Sequence, residues 1–103
     1  MQSQNEERIC ELCKRKVPVT TVHHLTPREE GGTDMPTAHL CIPCHKQIHY
    51  LFTNVELVVL GLTTIKSLLL EPTIASYVKW IRKQPAATIP KSRKSRHVRE
   101  ARR

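Results

Sequence analysis

The sequence predicts a small α+β domain clamped by a four-cysteine metal site. Three observations predict it. Two Cys-x-x-Cys pairs, Cys10/Cys13 and Cys41/Cys44, stand 27 residues apart; a β-branched run from Val17 to Leu25 ends on His23-His24; and His45 and His49 follow the last cysteine at helical i, i+4 spacing. The first pattern supplies a clamp, the second a strand and the third a helix.

A chain of 103 residues has room for one small domain, and its last nineteen residues lack the apolar periodicity to add to a core. Domains this short bury too little apolar surface to be comfortably stable, so a structural metal or disulfides usually supplement the core. The segment Met1-Gln-Ser-Gln-Asn-Glu-Glu has no apolar h-region, and no apolar run approaches the roughly 20 residues of a membrane span. The expectation is a cytoplasmic protein without membrane contact, and in that reducing setting paired Cys-x-x-Cys motifs favour zinc over disulfides.

Taken in order, residues 1–8 are polar and predicted flexible. The knuckle Cys10-Glu-Leu-Cys13 places two thiolates where both sulfurs reach one tetrahedral zinc at ~2.3 Å. Val17 to Leu25 reads as a strand with Pro18 near its start, where a missing N–H is tolerated. Thr26 to Pro36 carries Gly31-Gly32 and two prolines and reads as a loop. A short second strand around Ala38 to Leu40 returns the chain to Cys41. Pro43 suits the first turn of a helix, predicted from about Ile42 to Phe52, with Ile48, Leu51 and Phe52 facing a core.

Residues 53–84 read as a helical extension packed on the 9–52 core. Thr53-Asn-Val-Glu56 matches a capping box and opens a helix that ends at Gly61. Thr63 or Thr64 caps another, which runs to Leu70 and stops before Pro72. The last is predicted over Thr73 to Lys83, with Ile74, Tyr77, Val78 and Ile81 on one face. Trp80 lies at the edge of that stripe, suited to packing first and base stacking second. Residues 85–103 change to Pro, Ala, Ser and basic residues and are predicted disordered, with His97 incidental.

The four-cysteine set leaves no open coordination position, so a zinc held there is structural. A redox reading of Cys-x-x-Cys needs a thioredoxin-like βαβ setting that the pattern lacks. Successive strand residues point to opposite sides, so His23 and His24 would not normally both face one ion; one can bind metal while its neighbour does something else. Neutral imidazole is the commonest nitrogen ligand and the side chain best poised as a general base near pH 7. Packing alone explains one such histidine more readily. It explains four poorly, when two lie on a helix whose start is tied to the same zinc. His39 reads as packing or surface.

From Cys10 to about Phe52 these motifs resemble the HNH endonucleases with a zinc-bound ββα-metal (His-Me finger) fold: the first knuckle, the His-His on a strand, the Gly-rich turn, and Leu-Cys-x-x-Cys-His-x-x-x-His opening a helix. The resemblance implies metal-dependent hydrolysis of nucleic-acid phosphodiester bonds, DNA first with RNA not excluded. It matches His24 to the general base, and His23, His45 and His49 to ligands of one divalent metal, which could be Mg, Mn, Ni or Zn. Cys10, Cys13, Cys41 and Cys44 would hold the structural zinc. One departure stands out: the family's middle Asn has no counterpart among Pro36, Thr37 and Ala38, where Thr37 Oγ1 or the His39 ring could substitute.

Net charge is +8, and residues 85–103 hold seven Lys/Arg against Glu100 alone. Such a tail attracts phosphate backbones in a salt-sensitive way or keeps a small protein soluble. Candidate nucleic-acid contacts are Arg28, Lys46, Lys91, Arg93, Lys94 and Arg96. A second function class stays open, a zinc-stabilised nucleic-acid-binding module without catalysis. Oligomeric state is not readable.

Overall fold

The structure is a computed structural model that describes residues 8–91 and 93–101. Two short strands, β1 (Arg8–Ile9) and β2 (Lys16–Val17), pair antiparallel around the first knuckle. Lys14 closes that turn in the left-handed region (φ 67°), its N–H donating to the Cys10 carbonyl at 2.8 Å. Pro18 has no N–H for a ladder, and the run predicted as one strand divides there. Beyond it, β3 (Thr20–His24) pairs antiparallel with β4 (Thr37–Cys41), setting His23 opposite Ala38 and Thr20 opposite Cys41.

The loop between β3 and β4 folds through a 3-10 turn at Arg28–Glu30, which ends on Gly31 at φ 91°. Backbone hydrogen bonds close it, from the Leu25 N–H to the Pro36 carbonyl (3.3 Å) and from the Gly32 N–H to the Pro27 carbonyl (3.1 Å). At Gly32 the chain passes so close to itself that a Cβ would lie 1.8 Å from the Thr26 carbonyl oxygen. Only glycine fits there.

β4 runs directly into α1 (Ile42–Leu51), with Cys41 as N-cap and Pro43 in the first turn. The helix stops one residue short of the predicted Phe52, which turns extended and donates its N–H to the Ile48 carbonyl. The capping box predicted at Thr53 is formed with Glu56 and opens α2 (Asn54–Val59); Thr64 caps α3 (Ile65–Leu70) through Ser67. The last helix of the extension, α4 (Pro72–Ile81), starts one residue before the predicted Thr73, because the Glu71 side chain accepts from the Ile74 N–H. No helix among the described residues is long and apolar enough to cross a membrane.

One buried cluster unites these parts. It contains the four cysteines, Leu40 of β4, Ile48 of α1, Leu57, Leu68, and the Ile74, Val78 and Ile81 stripe of α4. The helical extension is therefore built on the thiol cluster. Two arginines tie it down: Arg82 Nε donates to the Cys13 carbonyl at 3.0 Å, and the Arg15 guanidinium donates to the Gln84 and Pro85 carbonyls at 3.2 and 3.0 Å. Trp80 remains 45 % exposed beside Tyr77, consistent with its position at the stripe's edge.

Both chain ends differ from expectation. Residues 1–7 lie outside the described residues, and Arg8, predicted flexible, belongs to β1. Within the segment predicted disordered, residues 96–101 form α5 (Arg96–Ala101). Its Val98 is fully buried, the Ser95 N–H donates to the Tyr50 carbonyl at 2.8 Å, and the His97 ring meets Glu56 at 3.1 Å. One apolar side chain anchors it, which leaves no periodicity to read. His97, taken as incidental, is one of its contacts. Ser92, Arg102 and Arg103, part of the same predicted tail, lie outside the described residues.

Gly32→Ala should force the Thr26–Gly32 crossing apart and destabilise the protein by about 1–3 kcal/mol, as overpacking does. For a domain of this size that is a fall in melting temperature of at least about 4 °C. Circular dichroism melts check it, and an unchanged midpoint would show that the turn yields freely.

Candidate active site and metal centre

Two groups of side chains have the geometry of metal sites. In the first, the sulfurs of Cys10, Cys13, Cys41 and Cys44 all lie within 4.8 Å of one another, and all four residues are buried. β1 and β2 present the first pair, while the β4–α1 junction presents the second. All four are free thiols. The thiols hydrogen-bond among themselves, Cys13 Sγ to Cys41 Sγ at 3.9 Å, and this splits their proton affinities. Cys13 is pushed well down, first by its bond with Cys10, whereas Cys44 is pushed well up by bonds with Cys10, Cys13 and Cys41 and by burial.

Arg15 sits over this cluster. Its Nε lies 3.3 Å from Cys13 Sγ and one terminal nitrogen 3.5 Å from Cys41 Sγ. A guanidinium there offsets negative charge on the thiolates, and a metal held by four thiolates needs such compensation when buried. Four buried sulfurs with a cation against them fit a closed structural zinc site.

The second group is His23, His45 and His49, whose ring nitrogens also converge within 4.8 Å. Their ring centroids stand 5.0 to 5.3 Å apart. β3 supplies His23, and α1 supplies the other two on one face, a turn apart. His23 is fully buried, and both its ring nitrogens lack a hydrogen-bond partner among the described residues. Orphaned buried nitrogens are costly unless something outside the chain takes them, and a cation does so. Burial first, and then His45, His49 and His24, push the His23 pKa down to about 3. Its ring is therefore neutral near pH 7, the form that donates a lone pair. Burial and then His24 likewise lower His45.

Thr21 fixes the orientation of His45, a role that the sequence reading missed. Thr21 Oγ1 stands 2.6 Å from His45 Nδ1 and 3.3 Å from the Leu40 carbonyl. A carbonyl can only accept, so the single hydroxyl proton goes to Leu40 and the threonine oxygen accepts from His45 Nδ1–H. That leaves His45 Nε2 unprotonated. A signal was present: Thr21 lies two residues before His23 and so on the same strand face.

His24 stands outside this trio, half-buried on the wall of a cleft of about 310 Å³. Val22, Arg28, Glu29, His45, His49 and Asn54 of α2 line the same cleft. Asn54 Nδ2 donates to Glu29 Oε1 at 2.8 Å, joining α2 to the turn that follows His24. Of the other sequence candidates, Arg28 reaches the cleft. Lys46 is exposed on α1; Lys91, Arg93, Lys94 and Arg96 lie in the C-terminal segment. His39 and Thr37 are exposed on β4.

Residues 10–51 match the family described as HNH endonuclease. A protein of Bacillus subtilis (strain 168), carrying the name uncharacterized protein YisB, is 57% identical over 89 residues, which cover 84% of this chain and 86% of that one. No solved structure matches.

Cys41→Ser should remove zinc retention and cooperative unfolding together, since small zinc domains draw an apparent ~10–16 kcal/mol from the metal at neutral pH. Metal analysis and thermal melts check it; a variant that still melts cooperatively without zinc would refute the assignment. Thr21→Val should leave the cysteine site loaded but weaken divalent-metal binding at the histidines by about 10–100-fold, the usual cost of losing an orienting partner. Calorimetric titration with Zn²⁺ or Ni²⁺ into zinc-loaded protein measures it, and undiminished affinity would remove Thr21 from the site.

Proposed function

Because the chain belongs to the HNH endonuclease family, we propose that it is a divalent-metal-dependent endonuclease that hydrolyses nucleic-acid phosphodiester bonds, DNA before RNA, with His24 as general base. One observation carries the reading: adjacent histidines part company, His23 turning into the buried trio while His24 stays on the cleft wall outside it. A purely structural site has no use for a fourth imidazole held beside it.

His23, His45 and His49 would hold a divalent cation, which would supply Lewis-acid polarisation of the scissile phosphate and stabilisation of the leaving 3′ oxygen. His24 takes a proton from the attacking water, and the product carries a 5′-phosphate. Thr21 keeps His45 Nε2 free to ligate. Arg28 places positive charge on the cleft wall, where it offsets the negative charge of the phosphate. Cys10, Cys13, Cys41 and Cys44 would hold a zinc that would fix the start of α1 and so the position of His45. Lys46, Lys91, Arg93, Lys94 and Arg96 contact flanking phosphates. Four unbridged cysteines support a reducing, cytoplasmic setting.

Supercoiled plasmid with Mg²⁺ or Mn²⁺ should be nicked by the wild type, and His24→Ala should slow nicking by about 10²–10⁴-fold, the usual contribution of a general base. Gel densitometry over a time course measures both. Equal cleavage by the variant, or none by wild type with any divalent metal, would leave a nucleic-acid-binding module without catalysis.

A further inference from the structure

The C-terminal basic segment is docked on α1 and α2, the two helices that carry the cleft residues His45, His49 and Asn54. The Ser95 N–H bonds the carbonyl of Tyr50, the residue after His49. The His97 ring reaches Glu56 Oε1 at 3.1 Å, and Glu56 belongs to the first turn of α2, two residues beyond the cleft-lining Asn54. That same Glu56 oxygen accepts the Thr53 N–H at 2.8 Å, so the helix cap and the docking contact share one carboxylate. The backbone N–H of Thr53 first, and then His97, hold this carboxyl below the usual range. Val98, fully buried, is a further anchor of α5.

Anchoring turns the chemical side of this segment outward. Lys91, Arg93 and Arg99 are exposed, and the Arg96 side chain is 84% exposed with Glu100 as its ion-pair partner. A merely solubilising tail needs no buried anchor and no shared cap.

We infer that the segment from Arg93 to Arg99 is a fixed clamp for a nucleic-acid backbone, holding phosphates that flank the one in the cleft. The inference rests on the endonuclease reading for the identity of the ligand, and it assigns placement as well as charge. Phosphate contacts set register and orientation on a nucleic acid, and those contacts can be made in a fixed register only from a fixed position. Docking on α1 and α2, the elements that carry His45, His49 and Asn54, supplies that position.

The test separates placement from charge. Full-length His24→Ala protein, which binds without cutting, is titrated into labelled duplex DNA by fluorescence anisotropy at several salt concentrations. Beside it stand Val98→Asn and His97→Ala, which undock the arm while keeping every Lys and Arg, and the triple change Arg93→Ala, Arg96→Ala, Arg99→Ala. The triple variant should lose about 0.9 from the slope of log affinity against log salt for each phosphate contact removed. Both undocking variants should shift the same way, with metal content at both sites unchanged. Wild-type affinity and slope in the undocking variants would overturn the clamp and leave a sticky tail, as would a triple variant indistinguishable from wild type. Binding of the segment to anionic phospholipid vesicles but not to DNA would overturn it too. None of these results touches the nicking experiment, so the clamp and the endonuclease reading fail separately.

Discussion

Everything in the site depends on one constraint: Cys41 is at once the last residue of β4, the N-cap of α1 and a member of the thiol tetrad. The strand register and the helix phase are therefore fixed by the same residue. With Cys41 opposite Thr20, the ladder brings His23 opposite Ala38 and His24 opposite Thr37. A slip of one residue would reverse which histidine faces inward. On the other side of the junction, Cys44 anchors the first turn of α1, so His45 and His49 leave on the face that meets β3. The closed thiol cluster thus sets the geometry of the histidine cluster beside the cleft.

The two clusters need different electrostatics, and the chain provides them differently. Four thiolates around a zinc would accumulate negative charge in a buried place, and Arg15 reaches across to two of the sulfurs while its guanidinium also holds the carbonyls after α4. Charge neutralisation and the docking of the helical extension share a side chain. In the histidine trio, burial of His23 makes its protonation costly and keeps that ring a neutral donor. An acidic neighbour would raise that pKa and set protons in competition with the cation. Among the described residues, the carboxylate of Glu29 on the cleft wall is engaged by Asn54.

Much of this was legible in the sequence because it depends on spacing. Cys-x-x-Cys pairs, His-His at a strand end and i, i+4 histidines survive as patterns whatever the tertiary packing does. The boundaries of α1 and of the three helices after it were readable from Pro43, Thr53, Thr64 and Pro72 to within a few residues, since caps are local. What escaped depends on contacts between distant segments. Thr21 acquires its role only when α1 lies against β3, and α5 exists because Val98 finds a buried place and Ser95 finds the carbonyl of Tyr50 near the end of α1, far away in sequence. Charge-rich composition hid that helix: one anchoring residue gives no period.

The loop between β3 and β4 is held without the Asn that the resemblance leads one to expect. In its region Thr37 and His39 are exposed on β4, and the bonds that close the loop come from backbone, Leu25 to Pro36 and Gly32 to Pro27. Backbone closure requires the chain to approach itself very closely, and Gly32 allows this by having no Cβ. The outer edge of the turn is then held from outside, by Asn54 of α2 on Glu29. α2 in turn is held by its cap at Thr53 and, through Glu56, by the C-terminal segment. The turn beyond His24 is thus supported by a chain of contacts through the helical extension. On this arrangement residues 53–84 are part of the site's framework and not an appendage to it, because removing α2 would free the cleft wall that carries Arg28 and Glu29.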